Sequence, residues 1–271
     1  MLTIVTALLC EARPLISDFN LKKVPESHPY PIYRNDELNL VISGIGKIAS
    51  ASATAYVHAL NGSCNHSAWL NIGLAGHSDY ELETGFLAIK IIDQSCHQSW
   101  YPSIIFEPSC QTGMLITVDQ VGKKYHPNYG VDMEASGFYA TACRFTTSEL
   151  VQCFKVVSDN PQTPVRKIAA NEASKLISDQ MEHISSIIDA LGQLQTEIDT
   201  PNQTPPFFNE IMALCKMTHS EQLLLREKLK RLFLLNPNHE MDFSLFVKPH
   251  QSKDILFVLE KLISEQKVLF Q

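Results

Sequence analysis

Short apolar runs alternate with stretches of helical spacing through most of this chain, and that alternation narrows its fold more than any other feature. Residues 2–9 (LTIVTALL) form a continuous apolar run of strand length. Residues 31–34 and 38–43 (LNLVIS) read as further strands, the second closing on Gly44-Ile45-Gly46. The alanine-rich stretch 47–60 carries apolar residues at helical spacing, and Trp69 to Ile72 is a short strand followed by Gly73 and Gly76. Residues 85–92, 113–118 and 151–157 are strands again, Glu134 to Phe145 is helical, and 166–194 is one long amphipathic helix. Strands interleaved with helices in this way predict an α/β fold, a sheet flanked by helices on its faces.

The composition shifts at 196–206 (TEIDTPNQTPP), where three prolines fall among turn formers. Such a stretch reads as a linker after a domain spanning 1–195. Beyond it, Thr218-His219-Ser220-Glu221 has the signature of a capping box before a leucine-rich run ending near Leu235, and Asp254 to Leu269 is amphipathic. Residues 207–271 are therefore expected to form a small helical appendage, docked on the core or at a subunit contact because so few residues bury little surface alone.

Of the 271 residues, 45% are hydrophobic and 19% charged, enough apolar material for a sizeable core. The net charge of −7, with no Lys/Arg block, argues against nucleic acid as the main partner. No run reaches the roughly 18 apolar residues of a membrane span. The amino-terminal MLTIVTALLCEARPL lacks a charged start and meets Glu11 and Arg13 too early for a signal peptide. Seven scattered cysteines without a C-x-x-C pair read as reduced thiols of a cytoplasmic protein, and ten histidines without ligand spacing give no metal site.

In open α/β sheets ligands bind at the carboxyl ends of the strands. The residues that could do chemistry gather at that edge: Glu11 after the first strand, Gly44 and Gly46 after LNLVIS, Gly73 and Gly76 after the next, and Ser158-Asp159 after FKVV. Glu134 opens a helix that can aim its amino terminus at the same place. Each has an ordinary alternative. An acidic residue in a first turn suits the helix dipole, Asp159 could cap the Asn160-Pro161 turn, and Ser43-Gly44-Ile45-Gly46 could be a purely structural turn. That turn lacks the third glycine of a dinucleotide fingerprint and the G-K-[ST] of a P-loop.

Taken in order, CEARPL, SGIGKIASASA, NIGLAGH, VDMEASGFYA and VVSDN resemble the purine nucleoside phosphorylase/nucleosidase superfamily, and most closely its 5′-methylthioadenosine/S-adenosylhomocysteine nucleosidases. The resemblance runs from about residue 2 to residue 194 and leaves the appendage outside. It implies a phosphorylase/hydrolase-like mixed sheet, a nucleoside substrate, no cofactor or metal, and a homodimer. It assigns Asp159, beside Ser158, as the acid that protonates the departing purine at N7 and Glu11 as the base that activates water. It gives Glu134 the ribose hydroxyls, Met133 the sugar's face, and the Gly44 and Gly76 turns contacts with substrate.

Phosphorylases of this superfamily carry a phosphate-binding arginine before the second glycine turn, where this chain has Leu70-Asn71-Ile72-Gly73. Arg13 and Lys47 are the cations near these turns, so hydrolysis of a 5′-modified adenosine is expected; a phosphorylase or a non-catalytic nucleoside-binding module is the alternative. Leu74 stands where the family has serine, His77 where it has a small residue, Val118 where it has glycine, and Val121 where it has the aromatic that stacks on the base. Phe106, Tyr125 and Tyr129 are candidates to replace that aromatic, and His77 is expected to be structural.

Overall fold

The computed structural model describes residues 1–62, 66–120, 125–164, 168–199, 204–237, 239–246 and 251–265. The chain divides into two compact units, Met1–Ile198 and Asp199–Gln271. Among the described residues no helix is long and apolar enough to cross a membrane.

The first unit is a mixed α/β structure built on one ten-stranded sheet. Its first half comprises β1 (Leu2–Thr6), α1 (Leu9–Asp18), β2 (Lys22–Lys23), β3 (Ile32–Arg34), β4 (Leu38–Ile42) and α2 (Lys47–Leu60). Then come β5 (Ala68–His77), β6 (Gly85–Asp93), β7 (Ser99–Trp100), β8 (Gln111–Thr117) and β9 (Tyr129–Asp132). It ends with α3 (Ala135–Ala142), β10 (Val151–Asp159), α4 (Ala170–Ser178) and α5 (Met181–Asp199).

The long strand β5 organises the sheet. Along one edge it pairs in parallel with β10, which turns antiparallel onto β6. The ring β5–β10–β6–β8–β9 closes when β9 pairs antiparallel with Gly76 and His77 of β5. The other edge of β5 is therefore shared: β1 takes Ala68 to Asn71 and β9 takes Gly76 and His77. Between them the two strands part, and backbone donors of β5 are left for side chains to satisfy.

Successive residues of a strand point to opposite faces, and the core divides accordingly. Ile4 and Leu40 join Leu15, Ile177 and Leu191 beneath α1, α4 and α5; Val5 and Val41 join Val57 and Phe138 beneath α2 and α3. Because both faces are covered, β1 and β4 are buried at every residue, which explains why apolar residues occupy both of their faces.

Several boundaries differ from the sequence reading. The first strand ends at Thr6, and Leu9 already belongs to α1, because Glu11 reaches back to the N–H groups of Ala7 and Leu8 and turns the chain. Gly73 and Gly76 lie inside β5, which partners on both edges prolong to His77. Asp159 is likewise the last residue of β10. The single helix expected over 166–194 is two, interrupted at Asp179–Gln180, where the Gln180 amide donates to the carbonyl of Glu83. Its first two residues, 166 and 167, lie outside the described residues. At the start of α3, Asp132 and not Glu134 supplies the cap, accepting from the Ala135 N–H at 2.8 Å.

In the second unit, α6 (Phe208–Met212), α7 (His219–Leu235) and α8 (Ser252–Glu265) enclose a cluster of their own that includes Ile211, Leu225, Leu229, Leu259 and Ile263. Thr218 caps α7 in a reciprocal capping box with Glu221, and Lys228 pairs with Glu260 across α7 and α8. The compositional break at 196 does not end α5, which continues to Asp199; residues 200–203 lie outside the described residues.

Candidate active site

The opening between β1 and β9 is filled by Glu11. Its Oε2 accepts from Ala7 N at 3.1 Å and Leu8 N at 2.8 Å, and its Oε1 accepts from Leu74 N at 3.1 Å. The carboxylate thus satisfies the start of α1 and the unpaired edge of β5 together. Burial pushes its pKa up, against the opposing pull of the Leu8 N–H and the nearby Lys155 ammonium. A buried carboxylate with a raised pKa, one oxygen of which takes a single backbone bond, can accept a proton from a water molecule.

Glu134 closes a second side. Its Oε1 accepts from Gly46 N at 2.8 Å, a donor presented by the turn in which Gly44 and Gly46 adopt φ of +86° and +99°. Side chains with a Cβ rarely enter that region. Burial raises the Glu134 pKa to about 7, with Asp132 and Glu11 adding repulsion and Lys155 and the Gly46 N–H opposing it. The N–H groups at the start of α3 are taken by Asp132, not by Glu134.

Lys155, in the middle of β10, is the residue the sequence reading missed. Its side chain is 1% exposed, and its Nζ lies 2.9 Å from Asp132 Oδ2. Burial works against its charge, but Asp132 and Glu134 outweigh that and hold its pKa above the ordinary lysine value. Asp132 is saturated as well, accepting from Thr117 Oγ1 at 2.7 Å.

At the end of β10, Ser158 Oγ donates to Asp159 Oδ1 and Tyr125 OH donates to Asp159 Oδ2, each at 2.8 Å. The carboxylate presses on β5: a Cβ built on Gly76 would stand 2.5 Å from Asp159 Oδ2 and 3.3 Å from the Tyr125 ring.

Glu11, Asp132, Glu134 and Asp159 line one cavity of about 180 Å³. Of the residues singled out in the sequence, Glu11, Gly76, Met133, Glu134, Ser158 and Asp159 are on its wall. Gly44 is not; it donates its N–H to the Ala7 carbonyl and shapes the turn behind Ile45, which is. Leu74, Val118, Val131 and Ile168 make the remaining wall mostly apolar. Of the three aromatic candidates only Tyr125 lines the cavity, while Phe106 packs on the core and Tyr129 sits in β9. Val121 lies outside the described residues.

His77 is buried against Tyr80, their rings stacked at 3.9 Å, and its Nδ1 accepts from the N–H groups of Asp79 and Tyr80. It serves the turn after β5. Lys47 is held by Asp93 at 3.0 Å and Asp119 at 2.9 Å, and none of the three lines the cavity. Among the described residues no group of three or more His, Cys, Asp or Glu is arranged to hold a metal ion.

No family model matches the sequence, and no curated protein matches it. Solved structures do. The 5′-methylthioadenosine nucleosidase of Arabidopsis thaliana, without ligand, superposes with a TM-score of 0.59 over 70% of this chain and 95% of its own, at 16% identity. The chain has the 5′-methylthioadenosine nucleosidase fold. The same nucleosidase fold, in the 5′-methylthioadenosine/S-adenosylhomocysteine nucleosidase of Colwellia psychrerythraea in complex with adenine, gives 0.53 over 71% of this chain and 95% of that one, at 19% identity. A futalosine hydrolase mutant of Helicobacter pylori gives 0.51 over 70% and 98%, at 16% identity.

Proposed function

We propose that this cavity hydrolyses the N-ribosidic bond of a 5′-modified adenosine and releases adenine. The observation that carries the reading is the charge of the wall: Glu11, Asp132, Glu134 and Asp159 line it, and among the described residues no lysine, arginine or histidine does. The transition state of N-riboside cleavage carries positive charge on the sugar, which such a wall favours. A phosphate dianion would meet four carboxylates, and Lys155, the cation beside Asp132, is already bound to it. Water is therefore the favoured nucleophile.

In this mechanism Glu11 takes a proton from water as the water oxygen bonds to C1′. The C1′–N9 bond breaks, its electron pair passes to the purine, and Asp159 gives N7 a proton. Glu134, through the oxygen that Gly46 does not engage, accepts from the ribose hydroxyls. Met133 and Ile45 offer apolar contact to the sugar side. Adenine and a free 5′-modified ribose are the products. The adenine held by the Colwellia nucleosidase supports a 6-aminopurine leaving group, and the futalosine hydrolase has the same fold with another activity.

The test is free-base release from methylthioadenosine, S-adenosylhomocysteine, 5′-deoxyadenosine, adenosine and inosine, each with and without phosphate. Adenine released at the same rate without phosphate supports the reading. Release only with phosphate means phosphorolysis, and tight nucleoside binding with no release means a binding module.

A further inference from the structure

We propose that Lys47 is a positioning residue for the ribose: it fixes the Gly46 N–H on Glu134 and so holds that carboxylate in the pose that accepts the sugar hydroxyls. The inference rests on the proposed function of the same cavity and adds a residue that lies outside its wall.

The need for such a residue follows from the turn itself. Gly44 and Gly46 adopt φ of +86° and +99°, and a turn built on two glycines has little stiffness of its own. Gly44 donates to the Ala7 carbonyl at 3.1 Å, whereas Gly46 donates to Glu134 at 2.8 Å. Beyond Gly44 the turn therefore takes its position from α2.

Lys47 opens α2, where a cation faces the positive end of the helix dipole. Contacts to other elements account for it. Its Nζ donates to Asp93 Oδ2 at 3.0 Å, to Ser95 Oγ at 2.8 Å and to Asp119 Oδ1 at 2.9 Å, which engages all three protons. Asp93, the last residue of β6, also accepts from Ser136 Oγ at 2.8 Å, two residues after Glu134. One residue further, a Cβ on Gly137 would overlap the Lys47 carbonyl oxygen, so only a glycine lets α3 press on the start of α2. Residues 134–137 thus meet Gly46 and Lys47 in series: Glu134 on the Gly46 N–H, Ser136 on Lys47 through Asp93, and Gly137 on the Lys47 carbonyl.

Of these contacts the ammonium bridge is the one a side-chain substitution removes without touching the cavity wall, which neither Lys47 nor Asp93 lines. With Asp119 60% exposed, the Lys47–Asp119 pair adds little to stability, and its weight falls on placement. Without the bridge the Gly46 N–H drifts from Glu134, and the carboxylate loses the donor that turns its other oxygen to the sugar. Ser158 and Asp159 end β10 and Gly76 lies in β5, outside this circuit, so the hold on the base is spared.

The experiment compares the full chain with Lys47→Met, each checked by a thermal melt. KM and kcat are measured for the best nucleoside of the base-release test, and Kd for adenine alone by calorimetry. The expected result is a KM raised about tenfold, the loss typical of one hydrogen bond, with kcat and the adenine Kd within about threefold of the wild type. Should Lys47→Met melt too low to assay, Lys47→Met/Asp93→Asn, which leaves no unpaired carboxylate at that site, takes its place with the same expectation. An unchanged KM in a folded variant overturns the inference and leaves the nucleosidase reading standing. Equal weakening of nucleoside and adenine also overturns it, as the mark of a general disturbance and not of the sugar's grip. A wild-type chain that releases no base from any of the nucleosides overturns the inference and the proposed function together.

Discussion

The ammonium of Lys155 and the carboxylate of Asp132 meet at 2.9 Å with both side chains withdrawn from water. The lysine comes from the middle of β10 and the aspartate from the end of β9, so the pair joins two strands of the closed ring. Asp132 in turn caps α3, and the next residues, Met133 and Glu134, line the cavity. Lys155→Met would leave Asp132 buried without its counter-charge and remove the cation that opposes Glu11 and Glu134. Loss of one partner of such a pair costs about 3–5 kcal/mol. Urea unfolding should show a loss of that order, and in Lys155→Met/Asp132→Asn the second change should add much less than it does alone. Additive losses would mean that the two residues do not act as a pair.

Glu134 makes stability and binding depend on pH in opposite senses. Its pKa is raised from 4.5 to about 7 in the folded chain, with burial as the leading cause. Between those values the folded state holds a proton that the unfolded state has released. The contribution is therefore full below about pH 4.5 and is lost as pH rises toward about 7. Ribose hydroxyls need the ionised, accepting form, so KM for a nucleoside should fall as pH rises through the same region. Glu134→Gln should flatten both profiles. A variant that retains the wild-type slopes would assign them to another group.

Glu11 and Asp159 should separate chemistry from architecture. Glu11 takes three backbone N–H groups on its two oxygens. In Glu11→Gln the amide nitrogen must face at least one of those donors, at a cost of about 1–3 kcal/mol, so this variant should melt lower than the wild type. The partners of Asp159 are hydroxyls that can rotate, so Asp159→Asn should melt near the wild type. Both variants should lose about 10²–10⁴ in turnover, the usual contribution of a general acid or base. Equal melting temperatures for the two would contradict the structural part given to Glu11.

The site was legible in sequence to the extent that strand direction alone gathers it. Glu11, Gly76, Ser158 and Asp159 follow or close apolar runs, and parallel strands carry such residues to one edge. Glu134 and Met133 joined them through the sequence VDMEA, although β9, which delivers them, passed unseen as four residues too short to show alternation. Lys155 was illegible for a different reason. A lysine in a strand ordinarily marks a solvated face, and its burial arises only because β5 and β6 flank β10 in a ring whose members lie far apart in sequence. The break at Asp179–Gln180 was hidden because apolar residues continue at helical spacing on both sides and the cause, the bond from Gln180 to Glu83, is again long-range.

Gly76 offers the most local test of how the acid is held. It is a strand residue paired with Val131 on one side and Asp159 on the other, and the space its missing side chain leaves is taken by Asp159 Oδ2 and the edge of Tyr125. A methyl group there would stand 2.5 Å from the carboxylate oxygen, closer than contact allows. In Gly76→Ala the strand pairing should survive, with a stability loss of about 1–3 kcal/mol from overpacking. The carboxylate would be driven from the Tyr125 hydroxyl, so adenine affinity and base release should fall together, by far more than a melt of the variant would suggest. A folded Gly76→Ala with unchanged base release would mean that the reacting acid is not the group packed against β5.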